Sequence, residues 1–331
     1  MFDLADVKDG IVSIEADVRD LARLRSALTE HAPEIVLHMA AQPLVKTAYA
    51  DPVNTYTTNV LGTVNILEAV RHTPSVRVLL CITSDKCYQN NEQLWGYREN
   101  DAMGGHDPYS SSKGCAELVI ASYRDSYFNP NRYQEHRVAV ASSRAGNVIG
   151  GGDWSADRLV PDVIQAIAQG KPVLIRRPHA VRPWQFVLEP LRGYLDLAER
   201  LWENGPAFAG GWNFGPDLEQ IQPVNWIVDY LTKKWGDGAR WVLDGAIHPH
   251  EDHFLKLDCT KAKELLGWRP ALDLPTVLDW IVTWNRAWRD GQDLRALTEQ
   301  QIASYEFRTA SSTTDVPLRS SRHVAPHAAA V

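Results

Sequence analysis

The sequence predicts an α/β protein, a doubly wound parallel sheet with a smaller lobe interleaved into it. Two observations carry the fold and a third its division. From Gly10 to His136 short apolar runs alternate with longer amphipathic segments, the pattern of βαβ units around a parallel sheet. After Trp154 that alternation breaks into Pro- and Arg-rich connections. With 331 residues, 44% of them hydrophobic, the chain can bury a sizeable core and divides into two lobes.

In chain order, Ile11 to Ala16 and Ile35 to Met39 read as strands, with Leu21 to His31 a helix between them. A helix follows from about Pro52 to Arg71, then a strand from Val76 to Ile82. The next helix starts at Pro108, where proline suits the first helical position and Asp107 can cap. Val138 to Ser143 is a further strand, left through the turn Gly150-Gly151-Gly152-Asp153-Trp154. Later helices are expected near Pro161 to Gln169, Phe186 to Glu203, Val224 to Trp235, Thr260 to Leu266 and Leu274 to Arg289, with Trp212-Asn213-Phe214 returning as a strand. The periodicity places 1–149 and 186–215 in the sheet domain and 150–185 with 216–305 in the second lobe. Residues 306–331, rich in Ser, Thr, Ala and Pro toward the end, are expected to be a disordered tail.

Composition excludes several function classes. The net charge is −7 and no basic run exceeds the pairs Arg176-Arg177 and Lys233-Lys234, so no electrostatic footprint points to nucleic acid or an anionic membrane. The four cysteines form no C-x-x-C pair, so neither a disulfide framework nor a metal is implied. His248, His250 and His253 lack a metal-ligand spacing with carboxylate or cysteine partners and read as a surface loop. No stretch reaches the ~18 apolar residues of a membrane span and the N-terminus has no targeting pattern. A cytoplasmic protein acting on a small soluble ligand is expected.

Two runs carry chemistry. Tyr109 and Lys113 in Tyr109-Ser110-Ser111-Ser112-Lys113 lie four apart on the expected helix and so share a face, where an ammonium favours phenolate. Spacing alone is weak, because Tyr230 and Lys234 repeat it in a segment without companion motifs. Thr83-Ser84-Asp85-Lys86 follows an apolar strand, and the carboxyl ends of strands are where such a sheet exposes its ligand crevice. A carboxylate and an amine in one pocket offer an acid and a base.

With these runs stand His38-Met39-Ala40-Ala41-Gln42-Pro43, Asn59-Val60-Leu61-Gly62-Thr63, Gly146-Asn147-Val148-Ile149-Gly150-Gly151-Gly152-Asp153-Trp154 and Arg182-Pro183-Trp184-Gln185. In this order the motifs resemble an extended short-chain dehydrogenase/reductase of the nucleotide-sugar 4,6-dehydratase family, over nearly the whole chain to about Tyr305. Lys86 stands where dTDP-glucose relatives carry glutamate, which is similar to the branch that takes CDP-glucose. The resemblance implies a Rossmann-like domain binding NAD and a lobe binding a sugar nucleotide. It implies Ser84, Asp85, Lys86, Tyr109 and Lys113 as catalytic residues, with Tyr109 and Lys113 also touching NAD. Asp17 and Val18 would lie at the adenine, Ala40, Ala41 and Gln42 by the phosphates and ribose, and Asn59 behind the strand. Ser84, Asn147, Arg158 and Arg182 would hold the substrate. A homodimer through a four-helix bundle built from Pro52 to Arg71 and Pro108 to Tyr127 is also implied.

The family opens with a strand and a Gly-rich turn that binds the cofactor pyrophosphate at a helix N-terminus. No such turn is present in the sequence, so the first βαβ unit is expected to be missing, leaving a central gap in the sheet. Three alternatives stand at this point: a nucleotide-sugar epimerase, a dehydratase for dTDP-glucose or GDP-mannose, and a non-catalytic remnant.

Overall fold

The computed structural model describes residues 1–245 and 254–313. Its centre is a four-stranded parallel sheet of β1 (Ile35–His38), β2 (Val78–Ile82), β3 (Ala139–Ala145) and a later strand, Gly210–Phe214, side by side in that order. Val78, Leu79 and Leu80 are fully buried, as expected of a parallel strand covered on both faces. Val78 and Leu80 face a core with Leu197, Leu201 and Trp212, while Leu79 and Cys81 face Ile66, Leu67, Val70 and Ile120. Each such buried leucine contributes roughly 1.5–3 kcal/mol of burial free energy.

The first helix is α1 (Leu21–His31), capped by Asp20, whose carboxylate accepts from Arg23 N. A short α2 (Val45–Ala50) leads into α3 (Pro52–Tyr56), which runs through a π-helical turn, Thr57–Leu61, into α4 (Gly62–Arg71). Helix α5 (Pro108–Ser126) starts at the predicted residue, and Asp107 Oδ1 accepts from Ser110 N at 3.0 Å. Helices Leu21–His31, Val224–Trp235 and Leu274–Arg289 match their expected bounds.

A second core lies beyond β3, where Leu159–Ala168, Val224–Trp235 and Leu274–Arg289 pack through Val163, Ile227, Leu231, Leu278 and Ile281. Short two-stranded pairings stitch this region together, among them Val148–Ile149 with Gln185–Phe186. The helix Leu188–Asn204 returns the chain to the sheet.

Three expectations change. Residues 11–16 are not a strand; Ile11 and Val12 are exposed. A strand needs a neighbour for its ladder, and among the described residues none lies beside 11–16. Among the described residues the sheet has no central gap: β1 pairs directly with β2 and is itself the edge, leaving Ile35 and Leu37 exposed. The stretch expected as a tail begins inside a helix, Leu294–Thr313, with Tyr305 buried and bonded to Glu189. Residues 314–331 and the histidines at 248, 250 and 253 lie outside the described residues.

Candidate active site

Strand β2 ends at Ile82 and the chain turns at once into a single 3-10 turn, Asp85–Cys87, capped by Ser84. Ser84 Oγ accepts from Lys86 N at 3.2 Å and donates to Asp85 Oδ1 at 3.0 Å. Asp85 is 2% exposed and among the described residues its Oδ2 has no hydrogen-bond partner. Burial therefore raises its pKa against the nearby Lys86 charge. Gly146, just beyond β3, makes room for it: a Cβ there would lie 1.9 Å from Asp85 Oδ2. Asn147 follows with φ 39°, a left-handed position that asparagine tolerates.

Helix α5 brings Tyr109 to the same place. The phenol is buried and its pKa is pushed up to about 12 by burial, while hydrogen bonding to Ser84 pulls it down. Lys113 lies one turn further in and bonds the Ile82 carbonyl at 3.5 Å. Burial lowers its pKa to about 8, with Glu117 the strongest opposing charge. The groups acting most on Tyr109 are Ser84, Asp85, Arg158 and Asp107 rather than Lys113. His38, at the end of β1, is held neutral by burial, its pKa lowered to about 4.

One cleft of about 360 Å³ collects Ser84, Asp85, Lys86, Tyr109, Asn147, Arg158 and Arg182. Its wall adds Lys46, Arg176 and Arg177, which the sequence reading did not assign. Arg176-Arg177 was visible as a basic pair, but only the β-strand Val173–Ile175 before it aims the pair at the cleft. Lys46 reaches across the mouth to pair with Asp157.

The remaining predicted residues sit on the β1 side, outside the lining of this cleft. Asp17 is exposed and paired with Arg19, which holds its pKa down to about 2. The Val18 carbonyl accepts from Asn65 Nδ2 at 3.2 Å, and its side chain packs against Gly62. Ala40 is exposed and Ala41 half-buried in the segment after β1. Gln42 and Asn59 spend their polar atoms internally. Asn59 Oδ1 accepts from Gln42 N at 2.8 Å, and its Nδ2 donates to Gln42 O at 3.0 Å and to Ser112 Oγ at 2.8 Å. Asn59 lies in the π-helical turn, a feature often found at functional sites. Tyr230 and Lys234, by contrast, both bond Asp279 at 2.9 Å on a helix surface far from these groups in the chain.

A parallel α/β sheet with a tyrosine, a lysine and a strand-end serine at its carboxyl edge defines a Rossmann-type enzyme of the nucleotide-sugar-modifying class. The model described as GDP-mannose 4,6 dehydratase matches residues 3–203, and the chain belongs to this family. It is 51% identical over 309 residues to the CDP-glucose 4,6-dehydratase of Salmonella typhimurium, covering 93% of this chain and 86% of that one. A dTDP-glucose 4,6-dehydratase of Xanthomonas campestris is 25% identical over 298 residues, 85% and 81% of the two chains. Among solved structures, UDP-glucose 4-epimerase from Thermotoga maritima superposes with a TM-score of 0.72 at 22% identity, covering 82% and 84% of the two chains. A dTDP-glucose 4,6-dehydratase from Streptomyces venezuelae with NAD bound gives 0.71 at 22%, covering 85% and 81%. At that identity these two structures report the fold alone.

Proposed function

We propose that the chain is a lyase converting CDP-D-glucose to CDP-4-dehydro-6-deoxy-D-glucose and water. The observation that carries this reading is the convergence of Ser84, Asp85, Lys86 and Tyr109 on one cleft walled by arginines. A tyrosine and lysine alone suit an epimerase, whereas a buried acid beside an amine is what removal of a hydroxyl requires. The arginines offer planar donor forks that suit a diphosphate.

NAD, when bound, would accept a hydride from carbon 4 of the sugar and return one to carbon 6. The residues fit its nicotinamide-ribose end, since Lys113 bonds only the Ile82 carbonyl at 3.5 Å among the described residues, leaving ammonium donors for a ribose diol. Asp17, Val18, Ala40, Ala41, Gln42 and Asn59 are assigned to the cofactor side, with Gln42 and Asn59 shaping the loop rather than reaching for a ligand.

Tyr109, which must first ionise against the burial that raises its pKa, takes the proton of the 4-hydroxyl as the phenolate, with Ser84 orienting that hydroxyl. The ketone acidifies carbon 5, whose proton passes to Lys86 in its neutral amine form as the carbon-oxygen bond at carbon 6 breaks. Asp85 protonates the departing hydroxyl to give water, and Lys86 returns its proton to carbon 5. Tyr109 has then gained one proton and Asp85 has lost one. Ser84, bonded to Asp85 and close enough to Tyr109 to act on its pKa, connects the two and lets the site reset. Asn147, Arg158 and Arg182 hold the sugar nucleotide.

We read the sheet region as the NAD-binding domain and the second core as the sugar-nucleotide lobe. The enzyme is cytoplasmic in this reading, and pairs as a homodimer through α3, α4 and α5. Val53, Leu61 and Leu118, exposed on those helices and the turn between them, support that pairing. Among the described residues no helix is long and apolar enough to cross a membrane.

The test is incubation with NAD and, separately, CDP-glucose, dTDP-glucose and GDP-mannose, watching for the 4-keto product. Turnover of CDP-glucose is expected; turnover of dTDP-glucose in its place would overturn the nucleotide assignment.

A further inference from the structure

Beneath the cleft lies a charged pair that none of the steps above uses. Glu117 and Arg144 are 4% and 5% exposed at the side chain, and Arg144 Nη2 donates to Glu117 Oε2 at 2.7 Å. Two isolated charges in such a place carry a large desolvation cost, and here further bonds surround them. Ser142 Oγ donates to Glu117 Oε2 at 2.8 Å, and Thr83 Oγ1 donates to Oε1 at 2.5 Å. Arg144 Nη1 reaches the Tyr88 hydroxyl at 2.8 Å and the Glu99 carbonyl at 2.9 Å. Tyr88 in turn donates to Asn213 Oδ1 at 2.7 Å. Gly211 leaves the space the guanidinium occupies, since a Cβ there would lie 2.5 Å from Nη2.

The placement of Glu117 is what gives this network a use. It stands four residues after Lys113 and eight after Tyr109 on α5, so all three share one helix face. Thr83, its partner, immediately precedes Ser84 at the end of β2. One carboxylate thus ties the helix that carries the phenol and amine to the strand end that carries the serine and acid.

We propose that Glu117 is a positioning residue for the reaction: it fixes Tyr109 and Lys113 against Ser84 and holds the Lys113 ammonium charged in its buried setting. The inference rests on the roles given to Tyr109 and Lys113 above. Burial alone would raise the Glu117 pKa, but Arg144, Thr83 and Ser142 hold it below its ordinary value, so the group is an anion. The groups facing Lys113 are Glu117 on its own helix, His38 from β1, Cys81 from β2 and Cys87 from the turn after β2. His38 is neutral and the thiols are raised by burial, so Glu117 is the anion left to support the ammonium.

The experiment is the pH profile of the first turnover, followed by the absorbance of reduced nicotinamide, in holoenzyme given CDP-glucose. Glu117→Gln keeps the size of the side chain but not its charge, and the double variant Glu117→Gln with Arg144→Met removes the arginine charge that would otherwise be stranded. In both, the alkaline limb is expected to move to lower pH by about one unit, while the thermal midpoint of the double variant stays near that of the parent. A uniform loss of rate with the limb unmoved in both variants, while Lys113→Met is inactive, overturns the inference alone. A Lys113→Met variant that turns over at the parental rate overturns the reading of Lys113 and this inference with it.

Discussion

Asp85 and Gly146 fit closely, a Cβ at Gly146 lying 1.9 Å from Asp85 Oδ2, and they set a sharp expectation. Gly146→Ala places a methyl group where the Asp85 carboxyl now sits, and Gln185 Nε2 holds the Gly146 carbonyl from behind at 3.1 Å, so the acid must move. Oxidation at Tyr109 should survive while elimination slows about 100-fold or more, the scale of a lost general acid. Reduced cofactor and the 4-keto hexose would then accumulate; full product formation at the parental rate would refute this. Lys113 carries a different cost. Its folded pKa of about 8 lies below the ordinary 10.5, so the buried ammonium destabilises the fold, by about 3 kcal/mol at a little over 1 kcal/mol per pKa unit. Below pH 8 both folded and unfolded chains are protonated and the cost is complete; between 8 and 10.5 the folded chain releases its proton first and the cost fades. Lys113→Met should therefore raise urea stability at about pH 7 while abolishing turnover, with the gain shrinking by about pH 10. The gathering of Ser84, Asp85, Lys86 and Tyr109 on one cleft was legible because they sit in two short stretches. Glu117 and Arg144 were not, because a charged residue within a helix and one within a strand read as solvated until the fold brings them together.

At the scale of elements, α5 owes its start to Asp107, and its first turn presents Tyr109. Asp107→Ala removes an N-cap and should cost about 1 kcal/mol, read as a lower denaturant midpoint. Because Tyr109 is the second residue of that helix, kcat should fall more than KM rises. The start of α5 followed from local chemistry, a capping aspartate and a proline, and so was predictable. Residues 11–16 had the apolar content of a strand, yet strand formation depends on a neighbour that local sequence does not display. The helix Leu294–Thr313 was not expected from the sequence because its composition is polar, whereas its stability comes from tertiary contacts such as Tyr305 on Glu189 at 2.7 Å.

On the scale of the whole molecule, exposed Leu118 on α5, Val53 on α3 and Leu61 on the turn beside it give the proposed pairing surface a direct test. Leu118→Glu should convert a dimer to a monomer in sedimentation velocity, with unchanged circular dichroism; a parental sedimentation coefficient would argue against that surface. The arginine wall has a broader consequence. The protein carries a net charge of −7, while in one cleft Arg158, Arg176, Arg177, Arg182, Lys46 and Lys86 outnumber Asp85, Asp153, Asp157 and Asp162. An anionic sugar nucleotide approaching from solution is repelled by the distant body of the enzyme and attracted only at the mouth. Salt near physiological strength screens charges beyond about 8 Å, weakening the repulsion before the contact attraction. Capture should therefore quicken with the first additions of salt and slow only at higher concentrations, a two-phase response opposite at its start to that of a uniformly basic binder.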